Sequence, residues 1–320
     1  MRAEIGTDIS KAARLLTEGE VVAIPTETVY GLAGNALNEK AVLEIFHVKN
    51  RPSFDPLIVH VGDKNAVMDF TSDLPPGAMD LMDKFWPGPL TILLPKKQVV
   101  PDLVTSGLQT VGVRMPDHPL TLSLLRSLPF PLAAPSANPF GYISPTTAAH
   151  VADQLGEKIP YILDGGICRV GVESTIVGFE NGNWRIYRYG GVPRESIEEI
   201  VGMVALSEPG GKSPAAPGML ESHYAPRKKM MLGNIQQMKS ALHPGLRTGY
   251  LFYRYPEIAM PPGSVFEVLS AYGNADEAAC HLFAAMRRLD AADIDIIIAE
   301  PVPEEGLGRA INDRLRRASA

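Results

Sequence analysis

Val21-Val22-Ala23-Ile24-Pro25-Thr26-Glu27-Thr28-Val29-Tyr30-Gly31-Leu32 is the stretch that decides the fold. Its four leading residues are a short β-type apolar run closed by proline, the pattern of a strand buried on both faces. In front of it, Asp8 to Glu18 reads as an amphipathic helix that turns Ile9, Ala12, Ala13, Leu15 and Leu16 inward and stops at Gly19. A helix beside a buried strand is the α/β arrangement, and open α/β sheets place ligands beyond the carboxyl ends of their strands. Pro25 to Leu32 lies at that end and gathers hydroxyls, a carboxylate and a phenol.

Working outward, Asn38 caps a helix running to about His47, and Leu57 to Val61 returns as a strand carrying His60. Further strands are expected at Leu90 to Leu94, Thr110 to Arg114, Pro131 to Ala134 and Trp184 to Arg188, with helices around Met79 to Phe85 and Leu120 to Leu128. Between the capped helix and the His60 strand stand Lys49 and Arg51. If residues 50–55 are extended or turning, as Pro52 and Pro56 encourage, the two cations share a face and can clamp an anion. Taken alone, the pair reads more readily as solvated residues at a helix end, where cations are favoured. Ser144 and Pro145 form an N-cap and first-turn pair for a helix to Leu155, and with Ser136 they are either a phosphate cradle or a capped turn.

The chain has 320 residues, of which 45% are hydrophobic, enough for more than one core. No apolar run approaches the roughly 18 residues of a membrane span, and Met1 to Ser10 has neither a basic start nor an apolar signal core, which places the protein in the cytoplasm. Two distant cysteines, Cys168 and Cys280, exclude a disulfide framework, and the scattered histidines lack zinc-ligand spacing. Through Val204 there are 17 Lys and Arg against 23 Asp and Glu, and beyond it 13 against 13, giving the net charge of −6. A protein built to grip a nucleic-acid backbone would carry the opposite excess. Residues 205–228 turn to Pro, Gly, Ser and Ala and read as a linker between a domain at 1–204 and one at 229–320. Gly210-Gly211-Lys212-Ser213 is no phosphate loop, because Leu206 stands where the first glycine is needed. Beyond the linker, strands at Lys229 to Leu232, Thr248 to Phe252, Val265 to Leu269 and Ile294 to Ala299 alternate with helices near Asn234 to Leu242, Asp276 to Leu289 and Leu307 to Arg317, a small α/β domain.

Five motifs in order carry a resemblance: Pro-Thr-Glu-Thr-Val-Tyr-Gly-Leu at 25–32, Lys-x-Arg-Pro at 49–52, Pro-Leu-Ile-Val-His at 56–60, Pro-Ser-Ala-Asn at 135–138 and Glu-Ser-Thr-Ile-Val at 173–177. Together they resemble the YrdC-type threonylcarbamoyl-AMP synthases. His-Tyr-Ala-Pro at 223–226 and Gly-Leu-Gly-Arg-Ala-Ile at 306–311 are similar to the linker and tail of the two-domain form.

The resemblance implies a twisted open mixed sheet with a concave site and a smaller C-terminal α/β, Rossmann-like domain. It implies that L-threonine, bicarbonate or carbon dioxide, and ATP with Mg²⁺ are joined into L-threonylcarbamoyl-AMP with release of pyrophosphate. The product would pass to the machinery that modifies tRNA beside the anticodon, with tRNA binding by this chain weak or absent. Carried over by motif, Thr28, His60, Arg114, Ala134 and Ser174 would hold threonine. Arg51, Asp55, Thr110, Ser136, Ser144, Arg188 and Tyr224 would hold ATP, while Lys49, Arg51, Ser136 and Asn138 would serve the chemistry, with no metal ligand on the protein. Three positions depart from the pattern: Asp55 replaces an asparagine, Phe140 a serine and Tyr189 a proline. Asp55 would either help hold Mg²⁺ or point away from the phosphates.

Overall fold

The computed structural model describes residues 2–206, 216–235, 237–238, 245–256 and 264–320. A short strand β1 (Glu4–Gly6) leads into helix α1 (Ile9–Thr17), where the Asp8 side chain accepts from the Lys11 N–H and satisfies one orphan donor of the first turn. The apolar run becomes β2 (Val22–Ile24), buried throughout, and β3 (Gly31–Asn35) returns antiparallel with Gly31 opposite Ile24. Residues 25–30 are thereby held as the loop between two central strands. Helix α2 (Glu39–Lys49), capped by Asn38, ends where Asn50 takes the left-handed conformation at φ +51°.

The rest of the large sheet comprises β4 (Ile58–His60), β5 (Leu90–Pro95), β6 (Thr110–Arg114), β7 (Leu132–Ala133), β8 (Tyr161–Leu163), β9 (Thr175–Glu180), β10 (Asn183–Arg188) and β11 (Ala205–Leu206). Its eleven described strands run β1-β8-β2-β3-β7-β4-β6-β5-β9-β10-β11, a mixed sheet. Helices α3 (Val67–Phe70), α4 (Ala78–Phe85), α5 (Asp102–Thr105), α6 (Pro119–Ser127), α7 (Ala148–Leu155) and α8 (Arg194–Val201) connect the strands. Ala205 and Leu206, expected to open the linker, instead pair in parallel with β10 as an edge strand.

One expected helix start is corrected. Helix α7 begins at Ala148 with Thr147 as its cap, accepting from the His150 N–H, rather than at Ser144. The reason is non-local: the Ser144 hydroxyl donates to the Glu173 carboxylate at 2.6 Å, and the Pro145 carbonyl accepts the Tyr30 N–H at 2.9 Å. Both groups are committed to other segments, so no helix N-terminus forms an anion cradle at Ser144.

The C-terminal unit has a second sheet of four parallel strands, β12 (Lys229–Leu232), β13 (Thr248–Phe252), β14 (Val265–Val268) and β15 (Ile296–Ala299), in the order β12-β15-β13-β14. Helix α9 (Ala275–Ala291) buries Ala278, Ala279, Leu282, Met286 and Leu289, the stripe the sequence marks as core, and α10 (Gly308–Ala318) packs beside it. The helix expected at Asn234 to Leu242 lies largely outside the described residues. The two units share a core in which Val29, Ile143, Val172 and Tyr224 pack with Ala279 and Phe283. Gly171, at φ +78°, marks the closest approach: a Cβ there would sit 2.4 Å from the Cα of Cys280 and from the Ala279 carbonyl oxygen.

Candidate active site

Strands β4 and β6 run parallel with His60 opposite Arg114, so both side chains emerge at one end of the sheet. A cavity of about 50 Å³ opens there, lined by Thr28, His60, Arg114, Ala134, Ser136, Ser174, Arg51, Arg188 and Tyr224 among others. One water needs about 10–15 Å³ of such space, so the cavity as it stands has room for a few waters. Lys49, Asp55, Thr110, Asn138 and Ser144 are not among its lining residues.

At the expected threonine side, Thr26 donates its hydroxyl hydrogen to the Val29 carbonyl at 2.6 Å and lies 2.8 Å from the Thr28 hydroxyl. Its one hydrogen being spent, Thr26 accepts from Thr28, which leaves the Thr28 oxygen free to accept from a ligand. The His60 ring packs its Nδ1 3.2 Å from the Ile58 carbonyl oxygen. Burial, helped by the Arg114 charge, holds its pKa down at about 3, so the ring is uncharged at neutral pH. Ser174 meets Thr91 hydroxyl to hydroxyl at 2.8 Å and accepts from Arg188 Nη2 at 3.1 Å. Arg114 is not a lone cation. Its Nη2 lies 2.7 Å from Glu27 Oε1 and its Nε donates to the Gly88 carbonyl at 3.2 Å, with both side chains of the ion pair buried.

The expectation that Lys49 and Arg51 share a face of an extended segment is overturned. Lys49 is the last residue of α2, and the left-handed turn at Asn50 sends Arg51 a different way. Lys49 is buried, and its Nζ donates to the carbonyls of Ser136 and Asn138, each at 2.5 Å, behind the cavity wall. Burial first, then the neighbouring Arg51 charge, depresses its pKa. Arg51 does line the cavity, donating to the carbonyls of Asp55 at 3.2 Å and Pro56 at 2.8 Å and pairing with the Asp55 carboxylate at 2.9 Å. Asp55 is thus the buried counter-ion of Arg51 and does not line the cavity.

Asn138 donates to the carbonyls of Pro139 and Tyr142 at 2.9 and 2.8 Å and so shapes its own loop. Thr110 is half-buried at the start of β6, on the same strand face as Arg114 by alternation. Arg188 donates through Nε and Nη2 to the Ser174 carbonyl at 3.1 and 2.9 Å and through Nη1 to the Pro217 carbonyl at 3.1 Å, tying the sheet to the linker. Phe140, a departure from the motif, lies 5.8 Å beneath the Arg51 guanidinium and meets the His223 ring edge-on at 5.6 Å.

The linker closes the cavity. Tyr224 is buried at φ +63°, its ring stacked on Phe283 at 5.7 Å with the Arg314 guanidinium 5.2 Å from the ring centroid. Gly218, at φ +77°, is needed beneath it, since a Cβ would stand 2.7 Å from the tyrosine hydroxyl. The sequence patterns pass over Glu27, Glu173 and Arg314. Glu27 had one available signal, its place among the hydroxyls of the first strand-end loop.

Fold and site define the class: a two-domain α/β enzyme with a polar pocket, flanked by arginines and covered by its own linker. A family described as "Telomere recombination" matches residues 14–190, and one described as "Threonylcarbamoyl-AMP synthase, C-terminal domain" matches residues 192–320. The chain belongs to the two-domain threonylcarbamoyl-AMP synthase family. It is 41% identical to the threonylcarbamoyl-AMP synthase of Pyrococcus abyssi over 96% of this chain and 93% of that one. It is also 41% identical to that of Bacillus subtilis, over 97% of this chain and 92% of that one. The crystal structure of P. abyssi Sua5 complexed with L-threonine superposes with a TM-score of 0.91 at 38% identity, covering 100% of this chain and 97% of that one. Escherichia coli YciO, 20% identical with a TM-score of 0.52 over 59% of this chain and 96% of that one, shares the fold of the first domain.

Proposed function

We propose that the protein synthesises L-threonylcarbamoyl-AMP from L-threonine, bicarbonate or carbon dioxide, and ATP, releasing pyrophosphate. The observation that carries this reading is the cavity in which Thr28, neutral His60, Arg114 and Ser174 face the same space as Arg51, Ser136 and Arg188. Arg114 takes the threonine carboxylate while Glu27 fixes the guanidinium. The open lone pairs of Thr28 and the uncharged His60 ring suit the amine and hydroxyl.

Threonine's amine adds carbon dioxide and loses a proton, giving a carbamate. A carbamate oxygen then forms a bond to the α-phosphorus of ATP, and the bond to pyrophosphate breaks. Nucleophile and electrophile are both anionic, so Arg51 and Arg188 offset their repulsion. No protein nucleophile enters. Holding the two reactants in line supplies roughly 7–11 kcal/mol in favourable cases, and the folded-in linker keeps water from the labile carbamate.

Mg²⁺ enters with ATP and offsets the phosphate charge. Asp55 and Glu173 are each paired with an arginine, so the ligands to Mg²⁺ would come from the nucleotide phosphates. The mixed anhydride produced is an activated acyl donor, suited to a downstream threonylcarbamoyl transfer to tRNA by other proteins. Among the described residues no helix is long and apolar enough to cross a membrane, and we place the reaction in the cytoplasm. The test is pyrophosphate release with each of ATP, threonine, bicarbonate and Mg²⁺ omitted in turn; release that persists without threonine refutes the reading.

A further inference from the structure

Arg314 belongs to the last helix of the C-terminal unit, yet its side chain is fully buried against the first domain. Its Nε donates to Glu173 Oε2 at 2.9 Å, and its Nη1 donates to the Tyr189 carbonyl at 2.7 Å and to Asp313 at 2.9 Å. Glu173 lines the cavity and has both oxygens engaged, Oε1 accepting the Ser144 hydroxyl at 2.6 Å. A second arginine of that unit, Arg287 on α9, donates to the carbonyls of Ser144 at 3.3 Å and Ile143 at 2.5 Å. Ser144 is thus gripped from both sides by the C-terminal unit, at its carbonyl directly and at its hydroxyl through Glu173.

A buried carboxylate at this place poses an electrostatic problem. Glu173 shares its cavity wall with Arg51, Ser136 and Arg188, the groups assigned above to the nucleotide. An uncompensated negative charge there would repel the polyphosphate at low dielectric, where charge effects are least screened. We infer that Arg314 is a positioning residue for the ATP side of the site, holding Glu173 neutralised and turned onto the Ser144 hydroxyl so that an anionic nucleotide can bind beside it. The inference rests on the synthase reading above and extends it by giving the C-terminal unit a part in substrate binding. The charged and titratable groups facing Glu173 are Arg314 and Asp313 from α10, Arg188 from β10 and Tyr224 from the linker. Although burial alone would push the Glu173 pKa up, Arg314 and then Arg188 hold it below its usual value.

The experiment compares Michaelis constants for ATP and threonine across pH 6 to 9 in wild type, Arg314→Gln, Glu173→Gln and the double variant, by pyrophosphate release from the full-length chain. Wild-type release that depends on threonine secures the underlying reading separately. Arg314→Gln is expected to raise the Michaelis constant for ATP about 10- to 100-fold, the range seen for partners that orient a binding group from behind, with that for threonine within about threefold. The rise grows with pH, because Glu173, freed of its cation, ionises as pH increases and only its charged form repels ATP. In the Glu173→Gln background, removal of Arg314 is expected to change the ATP constant less than about threefold and to abolish the slope, since no charge remains to be neutralised. This last comparison holds even where Arg314→Gln alone fails to fold, because removing both members of a buried ion pair costs far less than removing one. The inference is overturned by an ATP constant unchanged in Arg314→Gln, by equal rises for ATP and threonine, or by a double variant much worse than Glu173→Gln.

Discussion

The Arg114 guanidinium stands 2.7 Å from the Glu27 carboxylate, with the two side chains 5% and 0% exposed. The residue expected to receive threonine is therefore already half of a buried ion pair, and Glu27 both balances its charge and fixes its fork. Threonine, entering with a carboxylate and an ammonium, leaves the net charge of that pair unchanged.

Replacing Arg114 by Ala should raise the Michaelis constant for threonine by about 10²-fold, the scale for truncating one partner of a buried charge pair, with little change for ATP. It should also lower unfolding free energy by about 3–5 kcal/mol, because Glu27 is left charged and buried. The pair Arg114→Met and Glu27→Gln should recover most of that stability in urea melts while threonine binding stays weak. Stability and binding recovering together would show that Arg114 acts only as a packing element.

Lys49 and Arg51 act through different contacts and should fail differently. Lys49 holds the Ser136 and Asn138 carbonyls from behind the wall, whereas Arg51 faces the cavity. Each alanine variant should lose roughly 10²- to 10³-fold in turnover, the scale of one preorganised electrostatic contact. Only Lys49→Ala should also loosen the 136–138 loop, read as faster amide exchange at Ala137 and Asn138, whose N–H groups donate to the Tyr30 and Ser136 carbonyls. Near-normal turnover in both would show that the two buried cations serve the fold and not the reaction.

The elements legible in sequence were those fixed by local pattern. Val22–Ile24, Thr110–Arg114, Lys229–Leu232 and Thr248–Phe252 are apolar runs bounded by turn residues and appear as strands at the expected places. Asn38 and Asp8 cap the helices they precede. Ser144 misleads because its hydroxyl finds Glu173, 29 residues away, a partner no local rule contains. Arg314 escapes for the same reason. Charged residues on a polar helix read as solvated, and its ion pair with Glu173 spans 141 positions. Of the site residues, the cavity brings together those at strand ends, Thr28, His60, Arg114 and Ser174, whose positions the alternation of strands and loops dictates. Lys49, at the end of a helix, and Asp55 and Asn138, on bends, take directions that only the local backbone conformation sets.

His60 gives a test in acid. Its ordinary value of 6.5 is lowered to about 3 in the folded chain, so above pH 6.5 neither the folded nor the unfolded state carries the proton. Between pH 6.5 and about 3 the unfolded state binds a proton that the folded state refuses, and stability falls as pH falls. The slope from this group is at most about 1.4 kcal/mol per pH unit. Wild type should therefore lose stability on acidification faster than His60→Asn across that window, and threonine binding should show no ionisation of His60 near neutrality. Equal acid slopes in the two proteins would mean that the ring is charged or exposed in the folded chain.

The cavity and the linker make the final prediction. With Tyr224 seated between Phe283 and Arg314, and Ala225 donating its N–H to the Gly141 carbonyl at 2.8 Å, the space left is about 50 Å³. That is little room for a nucleotide, so the segment 216–226 is expected to lift for ATP to enter and to fold back for the reaction to proceed away from water. The stacking of Tyr224 stabilises the closed arrangement, and aromatic pairs of this kind contribute about 0.5–1.5 kcal/mol beyond their buried area. Tyr224→Ala should therefore shift the segment towards the open state, weaken ATP binding, and raise the ratio of pyrophosphate released to threonylcarbamoyl-AMP formed, because carbamate and product meet water. Amide exchange at Ala225 should quicken in the same variant while the melting temperature of the first domain holds. A pyrophosphate-to-product ratio and Ala225 exchange both equal to wild type would reduce the segment to a tether between two domains.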